Sequence, residues 1–234
     1  MSCVAAHPYH SGQFGGDAGE PLRPGGQDLT RRAIQCAGFA AGQQVLDLGC
    51  GEAGGTKLLR RRGCAAIGLD ASTTSLVGVA TRLPDLPLVA ASAEQLPFAD
   101  GSLDGILAEC SLSLTGFSPA ALAECQRVLR PGGQLAVTDV FARAKGGSGA
   151  ALPACLATLS ERDDILARLV DAGFQVGRWE DHSAVLKTFM ARLIFETGSA
   201  DSLWAGNSAT LNASLRQSRP GYFLLIAGKA RREA

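Results

Sequence analysis

Short apolar runs alternate along this chain with stretches in which apolar residues recur every three or four positions. The runs read as buried strands and the periodic stretches as amphipathic helices. Asp28 stands as an N-cap, and Leu29, Ala33, Ile34 and Ala37 predict a helix that Gly38 stops. Gln44–Leu48 reads as a buried strand, followed by a glycine-rich turn and a short helix through Lys57, Leu58 and Leu59. Ala65–Leu69 is a second strand, ending at Asp70. A helix capped near Thr73 or Thr74 follows through Leu76, Val79, Ala80 and Leu83. Leu88–Ala91 and Gly105–Ala108 give a third and a fourth strand. Ser118-Pro119 pairs an N-cap with proline at the first helical position, ahead of Leu122, Cys125, Val128 and Leu129 at helical spacing. Pro131-Gly132-Gly133 should break that helix before a fifth strand, Leu135–Asp139. Strand and helix thus alternate about five times over residues 26–140, which predicts a parallel sheet with helices on both faces.

The remainder is less regular. Ser160 should cap a helix through Ile165, Leu166, Leu169 and Val170, stopped by Gly173. Phe174–Trp179 is a sixth strand and Tyr222–Ala227 a last one. Between them, Ala184–Glu196 predicts a helix with Leu186, Phe189, Met190, Leu193 and Ile194 on its apolar face. Residues 1–25, rich in glycine and proline, read as a flexible N-terminal arm, and Gly146–Gly149 as a flexible loop. Residues 26–234 form a single domain, with a core half over 40–140 and a C-terminal part over 141–234.

Composition narrows the function classes. The 22 basic and 22 acidic residues balance, which argues against a nucleic-acid binder held by bulk charge. No apolar stretch approaches the length of a membrane span, and the first residues lack the basic and apolar regions of a secretory signal. The 7 cysteines are odd in number, widely spaced and free of any C-x-x-C pair. They read as reduced thiols of a cytoplasmic protein, with no metal site.

The strongest chemical signal is Val45-Leu-Asp-Leu-Gly-Cys-Gly-Glu-Ala-Gly-Gly55, in which Gly49, Gly51 and Gly54 match G-x-G-x-x-G between a strand and a helix. Asp70 closes the next strand, placed to accept hydrogen bonds from both ribose hydroxyls of a nucleoside. Two cofactor classes share this layout. A dinucleotide pyrophosphate prefers a helix N-terminus free of carboxylates, whereas Asp47 and Glu52 flank this turn. S-adenosylmethionine carries an ammonium and a sulfonium, for which nearby acids are favourable. A nicotinamide oxidoreductase remains the competing reading. The chain has no G-K-[ST] phosphate grip.

Four blocks carry a resemblance to a family: Asp47-Leu-Gly-Cys-Gly51, Gly68-Leu-Asp-Ala-Ser72, the segment Ala93–Asp104, and Arg127-Val-Leu-Arg-Pro-Gly-Gly133. In order and spacing they resemble the class I S-adenosylmethionine-dependent methyltransferases, most closely the small-molecule branch with the ubiquinone/menaquinone and arsenite-type enzymes. That resemblance implies a Rossmann-like, doubly wound α/β sheet of seven strands, mostly parallel with an antiparallel last strand. It implies a turn of Gly49, Cys50 and Gly51 passing under the cofactor, with Asp47 orienting the turn and the ammonium. Asp70 would bind the ribose, with Ala71 beside the adenine. Ser92, Ala93 and Glu94 would lie where the adenine amino group is read; many relatives have an acid at the place of Ser92. Ala108 and Glu109 would face the methionine end.

The expected reaction is in-line methyl transfer to a small-molecule acceptor, leaving S-adenosylhomocysteine. Glu109, Cys110 and His182 are the candidates for catalysis, each with a plainer reading: cofactor contact, packed thiol and helix-capping loop histidine. Tyr9 and His10 could close over the cofactor or lie in a polar tail. Arg23 could pair with the cofactor carboxylate or be a surface arginine, and Asp139 could be a site acid or a solvated turn residue. Arsenite chemistry would need converging thiolates. Cys110, Cys155 and Cys3 are the only ones placed for it, while Cys36, Cys64 and Cys125 read as core residues. A non-catalytic cofactor-binding sensor or partner subunit is the alternative function. The acceptor, the methylated atom and the oligomeric state are not legible.

Overall fold

The computed structural model describes residues 23–144, 159–197 and 217–231. Tyr9, His10, Cys3, Cys155 and the Gly146–Gly149 loop lie outside them, as do the side chains of Leu193 and Ile194. Seven strands form one sheet: β1 (Gln44–Leu48), β2 (Ala65–Asp70), β3 (Leu88–Ala90), β4 (Leu103–Glu109), β5 (Leu129–Ala142), β6 (Phe174–Asp181) and β7 (Pro220–Lys229). Their order across the sheet is β3-β2-β1-β4-β5-β7-β6. The first five pair in parallel, whereas β7 runs antiparallel to both β5 and β6. This is the doubly wound, seven-stranded sheet with a reversed last strand that the resemblance implies.

Helices cover it: α1 (Gly26–Cys36), α2 (Gly54–Arg61), α3 (Thr73–Arg82), α4 (Pro119–Val128), α5 (Arg162–Asp171) and α6 (Ser183–Thr197) among the described residues. Val45–Leu48 is wholly buried because a central parallel strand has both faces covered. Alternate side chains feed two cores. Val45, Leu107, Tyr222 and Leu224 pack under α1, α2 and α6 through Ile34, Leu59 and Leu186. Leu46, Ile106, Phe223 and Leu225 pack under α4 and α5 through Leu122, Cys125, Ile165 and Leu169. Cys125 and Cys64 are buried hydrophobes, and the partly exposed Cys36 packs against the first core.

Element boundaries depart from the sequence expectations in specific places. The N-cap of α1 is Gly25, in the left-handed conformation, so Asp28 lies within the first turn. Ser72, not Thr73 or Thr74, caps α3 by accepting from the Ser75 amide, and Glu161 rather than Ser160 precedes α5. Strand β5 starts at Leu129, immediately after α4. Pro131-Gly132-Gly133 falls inside it as an irregularity between the pairs Leu103↔Leu129 and Gly105↔Gln134. β5 also continues to Ala142, which carries Asp139 into the interior.

A candidate cofactor site at the carboxyl edge

Strand order reverses between β1 and β4, and the ends of these strands lie side by side, Leu48 opposite Ala108. In open parallel sheets such a switch point is where ligands bind. Every residue expected in the cofactor site falls at this carboxyl edge: Asp47 on β1 with Gly49 to Gly51 after it, Asp70 and Ala71 at β2, Ser92 to Glu94 after β3, Ala108 and Glu109 on β4.

The glycine turn is tied down from below. The Gly49 and Cys50 amides donate to the Leu69 carbonyl at 2.8 and 2.9 Å. Gly49 has φ 72°, and a Cβ there would stand 2.5 Å from the Ser111 Cβ, so this position needs glycine twice over. Cys50 is buried, and burial together with Asp47 and Asp70 pushes its thiol far up; only its backbone faces the turn's chemistry. Asp70 accepts from the Gly51 amide at 2.9 Å and the Ser72 amide at 2.8 Å. Its carboxylate is therefore fixed between turn and helix, with lone pairs left for ribose hydroxyls.

Asp47 is 2% exposed and accepts from both the amide and the hydroxyl of Thr56, each at 2.6 Å. Burial raises its pKa, partly offset by these hydrogen bonds. It clamps the start of α2 to the end of β1, and so orients the turn. A Cβ on Gly55 would come within 2.9 Å of both carboxylate oxygens. That makes Gly55, outside the G-x-G-x-x-G triplet, the glycine on which this clamp depends. Glu52 pairs with Arg82 of α3.

After β3, Ser92 and Glu94 are exposed and Ala93 half-buried. The Ser92 hydroxyl accepts from the Glu94 amide at 3.2 Å, and Glu94 accepts from the Ser118 hydroxyl at 2.6 Å. The loop after β3 is thus held to the N-cap of α4.

Glu109 lies at the other side, 7% exposed, with burial raising its pKa to about 7 against the pull of Arg23. Arg23 is not a surface arginine: its side chain is 12% exposed, with a nitrogen 2.8 Å from Glu109 Oε2 and a hydrogen bond to Thr30. Thr30 in turn donates to Glu109 Oε1 at 2.9 Å. Within this buried cluster, Arg23 Nε lacks a hydrogen-bond partner, and Glu109 Oε2 has its ion pair with Arg23 but no aligned hydrogen bond. A zwitterion offering an ammonium to Glu109 and a carboxylate to Arg23 would satisfy both, which is the chemistry of a methionine end. Above the turn, a Cβ on Gly51 would meet nothing within 4 Å, leaving open space for a ligand to approach. The residues present therefore fit S-adenosylmethionine.

The other candidates separate. Cys110, half-buried and at φ 52°, sits 2.9 Å from the Tyr222 hydroxyl, beside Glu109. His182 bonds Glu180 at 2.9 Å, within a cluster that includes Arg32 and Arg178, and its carbonyl accepts from Val185 at the start of α6. This is the helix-entry role. Asp139 is fully buried rather than a solvated turn residue. It accepts from the amides of Ser113 and Val140 at 2.9 and 2.8 Å, and burial raises its pKa to about 6. It thereby anchors the short 3-10 turn Leu112–Thr115. Thr30, Thr138, Ser111 and Tyr222 were not singled out from sequence. Thr30 had a signal: a polar residue beside Leu29, in register with the buried face of α1.

A doubly wound sheet with a glycine turn, Asp70 at the end of β2 and paired charges at the switch point has the layout of a nucleoside-cofactor-binding α/β protein. Residues 46–137 match the methyltransferase domain family model. The demethylmenaquinone methyltransferase of Mycolicibacterium paratuberculosis is 33% identical over 207 residues, covering 83% of this chain and 86% of that one. That of Beutenbergia cavernae is 38% identical over 112 residues, and the match spans about half of each chain, 47% of both. Among solved structures, the [4+2]-cyclase SpnF superposes with a TM-score of 0.72 at 25% identity, over 87% of this chain and 81% of that one. The chain belongs to the class I S-adenosylmethionine-dependent methyltransferases.

Proposed function

We propose that the chain transfers the methyl group of S-adenosylmethionine to a ring carbon of a reduced bicyclic quinone, the acceptor class named by its demethylmenaquinone methyltransferase relatives. The observation that carries the cofactor reading is the buried Arg23–Glu109 ion pair at the end of β4, in which Arg23 Nε still has no hydrogen-bond partner. When bound, the cofactor supplies an electrophilic methyl on a sulfonium. Asp70 holds the ribose, Gly49–Gly51 lets the backbone come close, and Arg23 and Glu109 fix the methionine end. Ser92, Ala93 and Glu94 line the adenine side, with Ala71 beside it and Ala108 under the methionine. Much of the rate then comes from holding acceptor, methyl and sulfur in line. A cytoplasmic setting is part of this reading, and among the described residues no cysteine forms a disulfide.

Calorimetric titration with S-adenosylhomocysteine, with NADH in parallel, tests the cofactor. Binding of the first alone is expected, and loss of it in Asp70→Ala. Turnover of 1,4-dihydroxynaphthalene kept reduced under dithionite tests the acceptor; methylation at carbon is expected, and its absence would overturn the quinol reading. A second reading, a cofactor-binding protein without methyl transfer, draws on the likeness to a cyclase, since a fold does not fix a reaction. Cofactor binding with no transfer to any acceptor would favour it.

A further inference from the structure

Glu109 does not end the network around it. Its Oε1 accepts from the Thr138 hydroxyl at 3.5 Å, and Thr138 Oγ1 accepts from the Tyr222 hydroxyl at 3.4 Å. The Tyr222 oxygen lies 2.9 Å from Cys110 Sγ. Three strands contribute: β4 gives Glu109, β5 gives Thr138 and β7 gives Tyr222, with Cys110 next in the chain after β4. The single Tyr222 proton can go to the Thr138 carbonyl at 3.3 Å or to Thr138 Oγ1 at 3.4 Å, and either atom of the Cys110–Tyr222 contact can be its donor. With Tyr222 turned to Oγ1 and Thr138 donating to Glu109, the Tyr222 oxygen is left to accept from the Cys110 thiol.

Burial distinguishes the members. Tyr222 is 0% exposed, Thr138 1% and Glu109 7%, whereas Cys110 is only half-buried. Cys110 is the one member of the four through which a proton can enter from a bound molecule. Its backbone is held in the left-handed region at φ 52° by a 2.8 Å bond from its amide to the Thr138 carbonyl. A non-glycine residue in that conformation at a strand end marks a position fixed by its surroundings. Apolar packing alone would ask for neither the hydroxyl of a wholly buried Tyr222 nor that of Thr138.

We propose that Cys110, Tyr222 and Thr138 form a proton relay that carries the acidic proton of the methyl acceptor to Glu109. The proposal rests on the quinol reading for the acceptor. The acceptor O–H bond breaks as its proton passes to Cys110 Sγ. The thiol proton moves to the Tyr222 oxygen, the Tyr222 proton to Thr138 Oγ1, and the Thr138 proton to Glu109 Oε1. The electron pair left on the acceptor oxygen delocalises into the ring, whose carbon forms the new bond to methyl. The methyl–sulfur bond breaks with its pair going to sulfur. The ring C–H proton then leaves to water, and the phenolate oxygen regains its proton from Glu109 by the reverse path. The net products are methylated quinol, S-adenosylhomocysteine and one proton. A Glu109 carboxyl raised toward neutrality by burial is suited to hold that proton and return it. Cys110 is the group that would touch the acceptor; Tyr222 and Thr138 act through it. Charged groups facing Glu109 are Arg23, ahead of α1, and Asp47 on β1; Asp139 on β5 faces Tyr222.

Two measurements test this on the full chain. Infrared titration follows the Glu109 carboxyl, its band assigned by Glu109→Gln. In Tyr222→Phe, which keeps the ring and does not touch Glu109, the midpoint should move; an unchanged midpoint would overturn the relay. Turnover of reduced 1,4-dihydroxynaphthalene should fall about 100-fold or more in Tyr222→Phe, with S-adenosylhomocysteine affinity unchanged and the solvent deuterium effect on turnover lost. Cys110→Ser, which keeps an O–H in the chain, should restore turnover that Cys110→Ala loses. Wild-type turnover in Tyr222→Phe would overturn the relay while leaving the quinol reading standing. A wild-type chain that shows the infrared coupling but methylates no quinol would overturn the acceptor reading and leave the relay standing.

Discussion

Glu109 and Asp139 are two buried carboxyls with opposite surroundings and the same direction of shift. Burial outweighs Arg23 at Glu109 and outweighs the backbone amides at Asp139, so both hold their protons more tightly folded than unfolded. Between the unfolded and folded pKa values the native chain carries more protons, so stability falls as pH rises. The contribution is fully present below the ordinary carboxylate range. It is lost as pH passes about 6 for Asp139 and about 7 for Glu109. Each unit of displacement is worth about 1.4 kcal/mol. Urea unfolding of the cofactor-free protein should therefore show a midpoint that declines from about pH 4 to about pH 7. Glu109→Gln should flatten the upper part of that decline, and a midpoint rising over the window would contradict the assignment. Asp139 was legible only as an acid ending a strand. Its burial follows from β5 running three residues further, which no local pattern announces.

At the scale of elements, helix ends join the cofactor loops to the scaffold. Ser118 accepts from the Ala121 amide at 3.2 Å, ahead of Pro119, and donates to Glu94 in the loop after β3. Ser118→Ala should cost about 1 kcal/mol, seen as a melting temperature lower by about 2–4 °C. It should also weaken S-adenosylhomocysteine binding by releasing the loop after β3; an unchanged affinity would show that this tie does not shape the site. This cap was readable because Ser-Pro before an apolar period has one structural meaning. The caps of α1 and α5 were not, because Gly25 and Glu161 place no side-chain oxygen on the first turn. Strand cores were legible from continuous apolar runs such as Val45–Leu48. Their lengths were not, since pairing with β7 extends β5 past the run that marks it. Asp47 and Asp70 were legible because the glycine turn fixes their offsets. Thr138 and Tyr222 were not, because their roles arise only when β7 returns beside β5.

For the whole molecule, the site exists only where β1, β2 and β4 end together, with Arg23 and Thr30 brought over from the start of the described chain by α1. A ligand spanning those ends ties together elements far apart in sequence, so it should stabilise the fold by mass action. At a hundred times its dissociation constant, S-adenosylhomocysteine should add about 2.7 kcal/mol, raising the melting temperature by about 5–10 °C in a domain of this size. Gly55→Ala separates the clamp from the contacts. Its methyl would stand 2.8 Å from a buried Asp47 oxygen, whereas a Cβ on Gly51 would meet nothing within 4 Å. The variant should melt lower than the wild type and lose much of the ligand-induced rise, since the start of α2 must move for the methyl to fit. Arg23→Ala should instead lose the rise while leaving Glu109 buried without its cation, so its carboxyl stays protonated to higher pH. Differential scanning calorimetry with and without S-adenosylhomocysteine checks both. A full ligand-induced rise in Gly55→Ala would mean that the turn binds the cofactor independently of the Asp47 clamp.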